Sequence, residues 1–293
     1  SYVSKTVLIL TINGCSGGNS KQELIDKAGA PLLSGLGNHS HEVTSSKDGV
    51  QEYFDQGLIL AFAFNHAESV RSFKAAQNLD PTCAMCYWGE ALARGLNINV
   101  TSNGKAVMAD EQRVKAFEAL GKAKDLMVYS TPQEQAYITA LSSRYDGDIS
   151  SDRNALDIAY AVAMEKVVAA YPEDMDAASL YSEALMNTMP WNYWLDDGKP
   201  RADTVKVISK LEEVLEKEPD HPLAIHLYIH AVEASNSPER AESAANRLGS
   251  LVPGAGHLVH MPAHIFWRVG RYHDASEANI NAAKVDEEYI AQC

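Results

Sequence analysis

Apolar and polar positions along the chain follow a helical period, with no strand-like alternation of any length. From Gly57 to Pro81 the sequence reads GLILAFAFNHAESVRSFKAAQNLDP, an apolar helix, a turn, and a second helix ending in LDP. Apolar side chains three and four apart share one face of a helix, so each such unit predicts two helices that bury a common stripe. The pattern returns at KPRADTVKVISKLEEVLEKEPDHP, at ASNSPERAESAANRLGSLVPGAG and at RVGRYHDASEANINAAKVD. Between the clear copies, TPQEQAYITALSSRY (Thr131 to Tyr145) opens with a cap and a first-turn proline, and LDIAYAVAMEKVVAAYPED supplies its partner helix. The count reaches about six helix pairs. Two stretches rich in turn residues interrupt them, GLNINVTSNGKAV (Gly95 to Val107) and NTMPWNYWLDDGKP (Asn187 to Pro200), both candidate lids or groove walls.

Within the first unit Gly57, Ser69, Phe73, Ala76 and Pro81 fall at the spacing of a tetratricopeptide repeat, which the unit resembles. The resemblance implies an all-α chain folded as a right-handed α-solenoid, in which each pair is buried on its neighbours. Longer phrases, GLGNHSHEVT, YFDQGLILAFAFNHAE, DPTCAMCYWGEALA, MPWNYW, HLYIHAVEAS and PGAGHLVHMPAHI, resemble a family of exported bacterial tetratricopeptide proteins of unassigned function. That resemblance spans residues from about 30 onward and implies an array continuing past Cys293. The organisation expected is a leader and linker at residues 1–20, a lead-in segment at 21–49 and the helical array at 50–293.

Charge narrows the partners. With 25 basic and 39 acidic residues the net charge is −14, and no Lys/Arg cluster offsets it locally, which argues against nucleic acid. Lys5, the apolar run VLILTI and NGC before SGGNS resemble a lipoprotein export signal with Cys15 as the lipidated residue. The expected location is therefore the outer membrane, periplasm or cell surface, with membrane contact only through the lipid. Cys83 and Cys86, in CAMC, have no second pair for a zinc site and no βαβ context for redox chemistry, leaving a local disulfide or two buried thiols.

Six of the ten histidines fall in two short helical stretches, HPLAIHLYIHAVE (His221 to Glu233) and HLVHMPAHIFW (His257 to Trp267). Aligning Ala241 with Ala275 as equivalent small residues makes His226 equivalent to His260 and His230 to His264, each 34 residues apart, the repeat length. In tetratricopeptide repeats the first helix of each pair lines a concave groove, so the register predicts His226 beside His260 and His230 beside His264. Within each helix the two histidines are i and i+4 and share a face. Neutral imidazoles in this arrangement are a common way for helices to hold a transition metal. His226, His230, His260 and His264 are the expected metal ligands, with Glu183 and Glu233 as carboxylates of the same site, each a ligand or a general base. Zinc or copper suits an imidazole-rich site better than iron or manganese. Pro262 lies between His260 and His264, where it removes a helix hydrogen bond and shifts one histidine against the other.

His257, Trp267, Trp88, Ser179 and Met186 fall at groove positions of the same register and are expected to line it. His39 and His41 lie in a loop and read as solvated, His66 as a turn or capping residue, and His273 as a convex-side residue. The pattern supports a groove that takes a peptide, protein or glycan. The alternatives are a metal-dependent hydrolase or oxidoreductase in the same groove, or a structural subunit assembling head to tail. No GxSxG, HExxH or phosphate-binding glycine loop names a nucleophile.

Overall fold

The computed structural model describes residues 17–292, with side-chain surroundings from residue 21 to 291; Cys15 and the VLILTI run lie outside the described residues. The chain is all-α. Helix α1 (Gly17–Ala28) precedes an extended lead-in, followed by α2 (Val50–Phe62), α3 (His66–Leu79), α4 (Ala84–Ala93), α5 (Asp110–Leu126), α6 (Pro132–Ser142), α7 (Arg153–Ala170) and α8 (Met175–Thr188). Then come α9 (Ala202–Lys217), α10 (Pro222–Val232), α11 (Glu242–Leu251), α12 (Gly256–His260), α13 (Pro262–Arg268) and α14 (Tyr272–Gln292). Among the described residues the strands amount to one antiparallel pair, Thr101–Ser102 with Lys105–Ala106, inside the first insertion. Among those residues, too, no helix is long and apolar enough to cross a membrane.

Helix starts follow the local chemistry of the sequence. Thr131 closes a capping box with Glu134 ahead of Pro132, Asn65 caps α3 and Asp174 caps α8. His221 caps α10 by accepting from the Ala224 amide, with Pro222 at the first helical position. Cys83 and Cys86 form a disulfide across the first turn of α4.

Consecutive helices pack on each other from α2 to α14. Phe73 of α3 shows how tightly. Gly57 and Gly89 lie under its ring, and a Cβ at Gly89 would sit 2.2 Å from it, so only glycine lets α2 and α4 approach this side chain. Phe54, Trp88 and Tyr137 continue the aromatic core outward from Phe73.

The helices then curl back on themselves. α2 packs against both α4 and α10, and Tyr289 of α14 hydrogen-bonds Glu68 of α3. The lead-in runs across the inner helices. Ala30 accepts from the Tyr53 hydroxyl, the Thr44 amide and hydroxyl reach Glu134, and the Gly35 carbonyl takes the Gly254 amide. This covering corrects the expected groove lining: Trp88 is 1% exposed, and Ser179 and Met186 are fully buried in α8. All three are interior: Trp88 packs between Phe54 and Tyr137, and Ser179 donates to the Met175 carbonyl within α8.

Candidate metal centre

The histidine stretches meet as the spacing anticipates: His230 lies beside His264 as expected, while the partner of His226 differs. α10 is buried along its whole length and presents His226 and His230 on one face, with ring centroids 5.0 Å apart. α12 brings His257 onto that face, 4.9 Å from His226, and α13 brings His264 to 5.5 Å from His230. His260 sits 6.0 Å from His257 and 4.8 Å from His264, which closes a circuit of five imidazoles. His226 therefore faces His257 and not His260. The cause is Pro262, which ends α12 at His260 and restarts the helix as α13, so the one-to-one register of the two stretches is broken there.

Outer contacts fix the tautomers. His226 Nδ1 lies 2.7 Å from the Phe62 carbonyl, and His230 Nδ1 and His264 Nδ1 lie 3.0 and 2.6 Å from the two oxygens of Glu233. Carbonyl and carboxylate oxygens can only accept, so each Nδ1 carries the hydrogen and each Nε2 of a neutral ring is a bare lone pair. These lone pairs point into the circuit. The His226 lone pair lies 3.1 Å from His257 Nε2, which donates to it when no ion is bound and can turn its own lone pair to an ion in the other tautomer, and the buried His230 Nε2 has no hydrogen-bond partner among the described residues. Ligand atoms of His226, His230 and His257 all lie within 4.8 Å of one another, close enough for one ion. An orphaned acceptor in the interior is costly, and a cation at the focus removes the cost.

Electrostatics agree with a set of neutral donors. Burial, with His257 and His230 alongside, holds His226 well below the ordinary histidine value. Burial and the imidazoles of His230, His260 and His264 push His257 down to about 3. Burial also lowers His230, against the opposing pull of Glu233. Burial pushes Glu233 up, but the hydrogen bonds and charge of His230 and His264 outweigh it and hold the carboxyl at about 2. Glu233 is thus an ionised clamp behind two ligands, the arrangement that orients imidazoles toward a metal. Each Glu233 oxygen accepts one imidazole N–H, which places the carboxylate behind His230 and His264.

Two strained aromatics wall the cluster. Phe64 and Trp191 adopt left-handed backbone angles, φ 58° and 61°, which bulky residues rarely do. Phe64 lies 4.5 Å from His226, and Trp191 meets His230 edge-on at 5.1 Å. The Trp191 indole donates to the Ile98 carbonyl, which ties the second insertion to the first, while the Trp194 indole ties it to α10 at Ala231. Such strain persists only where the surrounding structure holds it, and it gathers at functional sites. On the other side, His257 and His260 border a cavity of about 680 Å³ shared with Phe64, Asn65, Asn99 and Asp286.

The remaining expected residues lie elsewhere. Glu183 does not border the histidines: its hydrogen-bond partner is Asn187, it lies in the field of Arg144, and burial raises its carboxyl. The insertion between α8 and α9 displaces α8 from the extrapolated register. Trp267 is 61% exposed and points away from the closed interior. His66 donates from Nδ1 to the Ala93 carbonyl and accepts at Nε2 from Asn97, a satisfied structural pair.

Sequence reasoning missed a second cluster. His39 and His41 are not solvated; with His221 they surround the buried Asp176, at 2.9, 2.8 and 3.1 Å. Because His221 Nδ1 accepts from the Ala224 amide, its Nε2 is the donor to Asp176. Burial pushes Asp176 up, but hydrogen bonds from His221, His39 and His41 bring it well below the carboxylate range. Burial pulls His39 and His41 down, yet Asp176 outweighs it and raises both, helped by Asp55, Asp174 and Glu218. The available signal was the i, i+2 spacing in HSH, which turns two side chains to one side of an extended strand.

The sequence matches no protein-family model and no curated protein.

Proposed function

We propose that this chain is an exported helical-repeat protein of tetratricopeptide type that binds a divalent transition metal through His226, His230 and His257. The observation that carries the reading is His230 Nε2, a buried lone pair with no hydrogen-bond partner among the described residues, aimed where His226 and His257 also converge. The donor set is imidazole, with Nδ1–H of His226 and His230 anchored to oxygen, which suits zinc or copper(II) over oxygen-seeking ions. Spacing supports the fit: two nitrogens 3.1 Å apart on bonds near 2.05 Å subtend roughly 100° at the ion.

The cavity of about 680 Å³ beside His257 and His260 favours a second reading, in which the bound metal acts on a small polar substrate. A peptide, protein or glycan would then approach the metal from this side and not along an open groove. Lipid attachment at Cys15 and head-to-tail association belong to the same proposal through the leader motif and the repeat resemblance. The test is metal analysis of purified protein together with calorimetric titration of zinc and copper into the stripped chain. The reading expects tight stoichiometric binding that His230→Ala abolishes and His273→Ala leaves alone; a chain that binds neither ion overturns it.

A further inference from the structure

The two histidines that the first ion does not use are arranged as a site of their own. His264 Nδ1 must donate to Glu233, so its Nε2 is a bare lone pair, and that atom lies 2.9 Å from His260 Nε2. His260 Nδ1 lies 2.5 Å from the Asn279 side-chain oxygen, to which it donates, so its Nε2 is a lone pair as well. Two facing lone pairs at this distance repel unless a cation lies between them, either a proton shared as N–H···N or a metal ion that takes both lone pairs. On bonds near 2.05 Å they subtend roughly 90° at an ion, a normal angle for two cis ligands.

Resting on the reading above, we propose that His260 and His264 hold a second divalent transition-metal ion, so that the centre is dinuclear. Glu233 joins the halves, because one oxygen anchors His230 of the first site and the other anchors His264 of the second. The halves differ in access. His226 and His230 are buried on α10, whereas His260 and His264 are half-buried, and His260 faces the cavity that also holds Asp286 and Asn99. With two protein ligands the second ion keeps open positions on the cavity side. The ligand class these positions take is a small oxygen donor, such as water, hydroxide or a carboxylate, held where two ions could share it. Polar Asn65, Asn99 and Asp286 around the opening suit a hydrated ligand over an apolar one.

The stripped full chain is titrated with copper(II), followed by metal analysis after gel filtration and by electron paramagnetic resonance. The proposal expects two equivalents, with the signal per copper falling as the second equivalent enters because neighbouring ions couple. His260→Ala and, separately, Asn279→Leu reduce the stoichiometry to one and leave an uncoupled signal, while far-ultraviolet circular dichroism stays unchanged. One equivalent in the unaltered chain, insensitive to His260→Ala but lost in His230→Ala, overturns the second site and leaves the first standing. No copper bound by any form removes the reading on which both rest.

Discussion

His226 and His257 face each other through their Nε2 atoms at 3.1 Å, one from a fully buried helix and the other from a half-buried one. The Phe62 carbonyl dictates which nitrogen of His226 carries hydrogen, and so a backbone atom of α2 determines the chemistry at the far edge of the ring. The contact between α2 and α10 is what makes this possible. The curl of the helices and the donor set are therefore one feature.

Glu233 is expected to matter without touching the metal. Glu233→Gln keeps the shape of the side chain but cannot accept two imidazole N–H bonds as an ionised carboxylate does. Outer-shell replacements of this kind cost about 10–100-fold in metal affinity. Isothermal titration with zinc should show that loss in Glu233→Gln, and an unchanged affinity would show that the clamp does not orient the ligands.

Metal should stabilise the fold, because the ring joins α10 to α12 and α13 and exists only in the folded chain. At a free metal concentration 100 times the dissociation constant the gain is about 2.7 kcal/mol. For a chain of 293 residues that raises the melting temperature by about 4 °C. Scanning calorimetry with and without chelator measures it, and equal melting temperatures would contradict it.

The Asp176 cluster predicts pH-dependent docking of the lead-in. His39 and His41 are raised in the folded state by Asp176, Asp55, Asp174 and Glu218, so their contribution is complete below about 6.5 and declines as pH rises through their folded values. Asp176 is lowered, so its contribution is present above about 3.8 and is lost as pH falls through its folded value. Hydrogen exchange at residues 36–46 should be slowest between these limits and faster on the alkaline side. Asp176→Asn leaves the three imidazoles without their charged acceptor and should cost about 3–5 kcal/mol, the usual penalty for breaking a buried ion pair from one side. Protection factors at these amides, the intrinsic exchange rate at each pH divided by the observed one, that stay constant from pH 5 to 9 would count against the latch.

The packing at Phe73 gives a test independent of any ligand. Gly89→Ala forces a methyl into the ring of Phe73 and should destabilise by about 1–3 kcal/mol, and Phe73→Ala should cost about 3–5 kcal/mol. Urea unfolding resolves both. A neutral Gly89→Ala would mean that α2 and α4 are not held at the spacing described.

Helix identity and the cap at Thr131 were legible in the sequence because both are local: periodicity and a few residues decide them. The convergence of five histidines was legible in part. Spacing of i and i+4 on α10 survives folding, and the 34-residue register holds for His230 and His264 but fails for His226, which meets His257 on the other side of Pro262. Glu183 was misplaced by carrying that register across the second insertion. Trp88 was misread as a groove residue because nothing local reveals that α2 reaches α10 or that residues 30–46 cover the inner helices. His39 and His41 sit in the lead-in without helical periodicity, and their partner Asp176 is 137 and 135 residues away.

The most direct test of the central claim is an anomalous difference map from crystals of the chain loaded with zinc or copper, collected at the absorption edge of the metal. The account predicts a strong peak about 2 Å from the Nε2 atoms of His226, His230 and His257. A map with no peak there, from crystals whose metal content is otherwise accounted for at surface sites, would contradict it and reduce the ring to a set of hydrogen-bonded imidazoles.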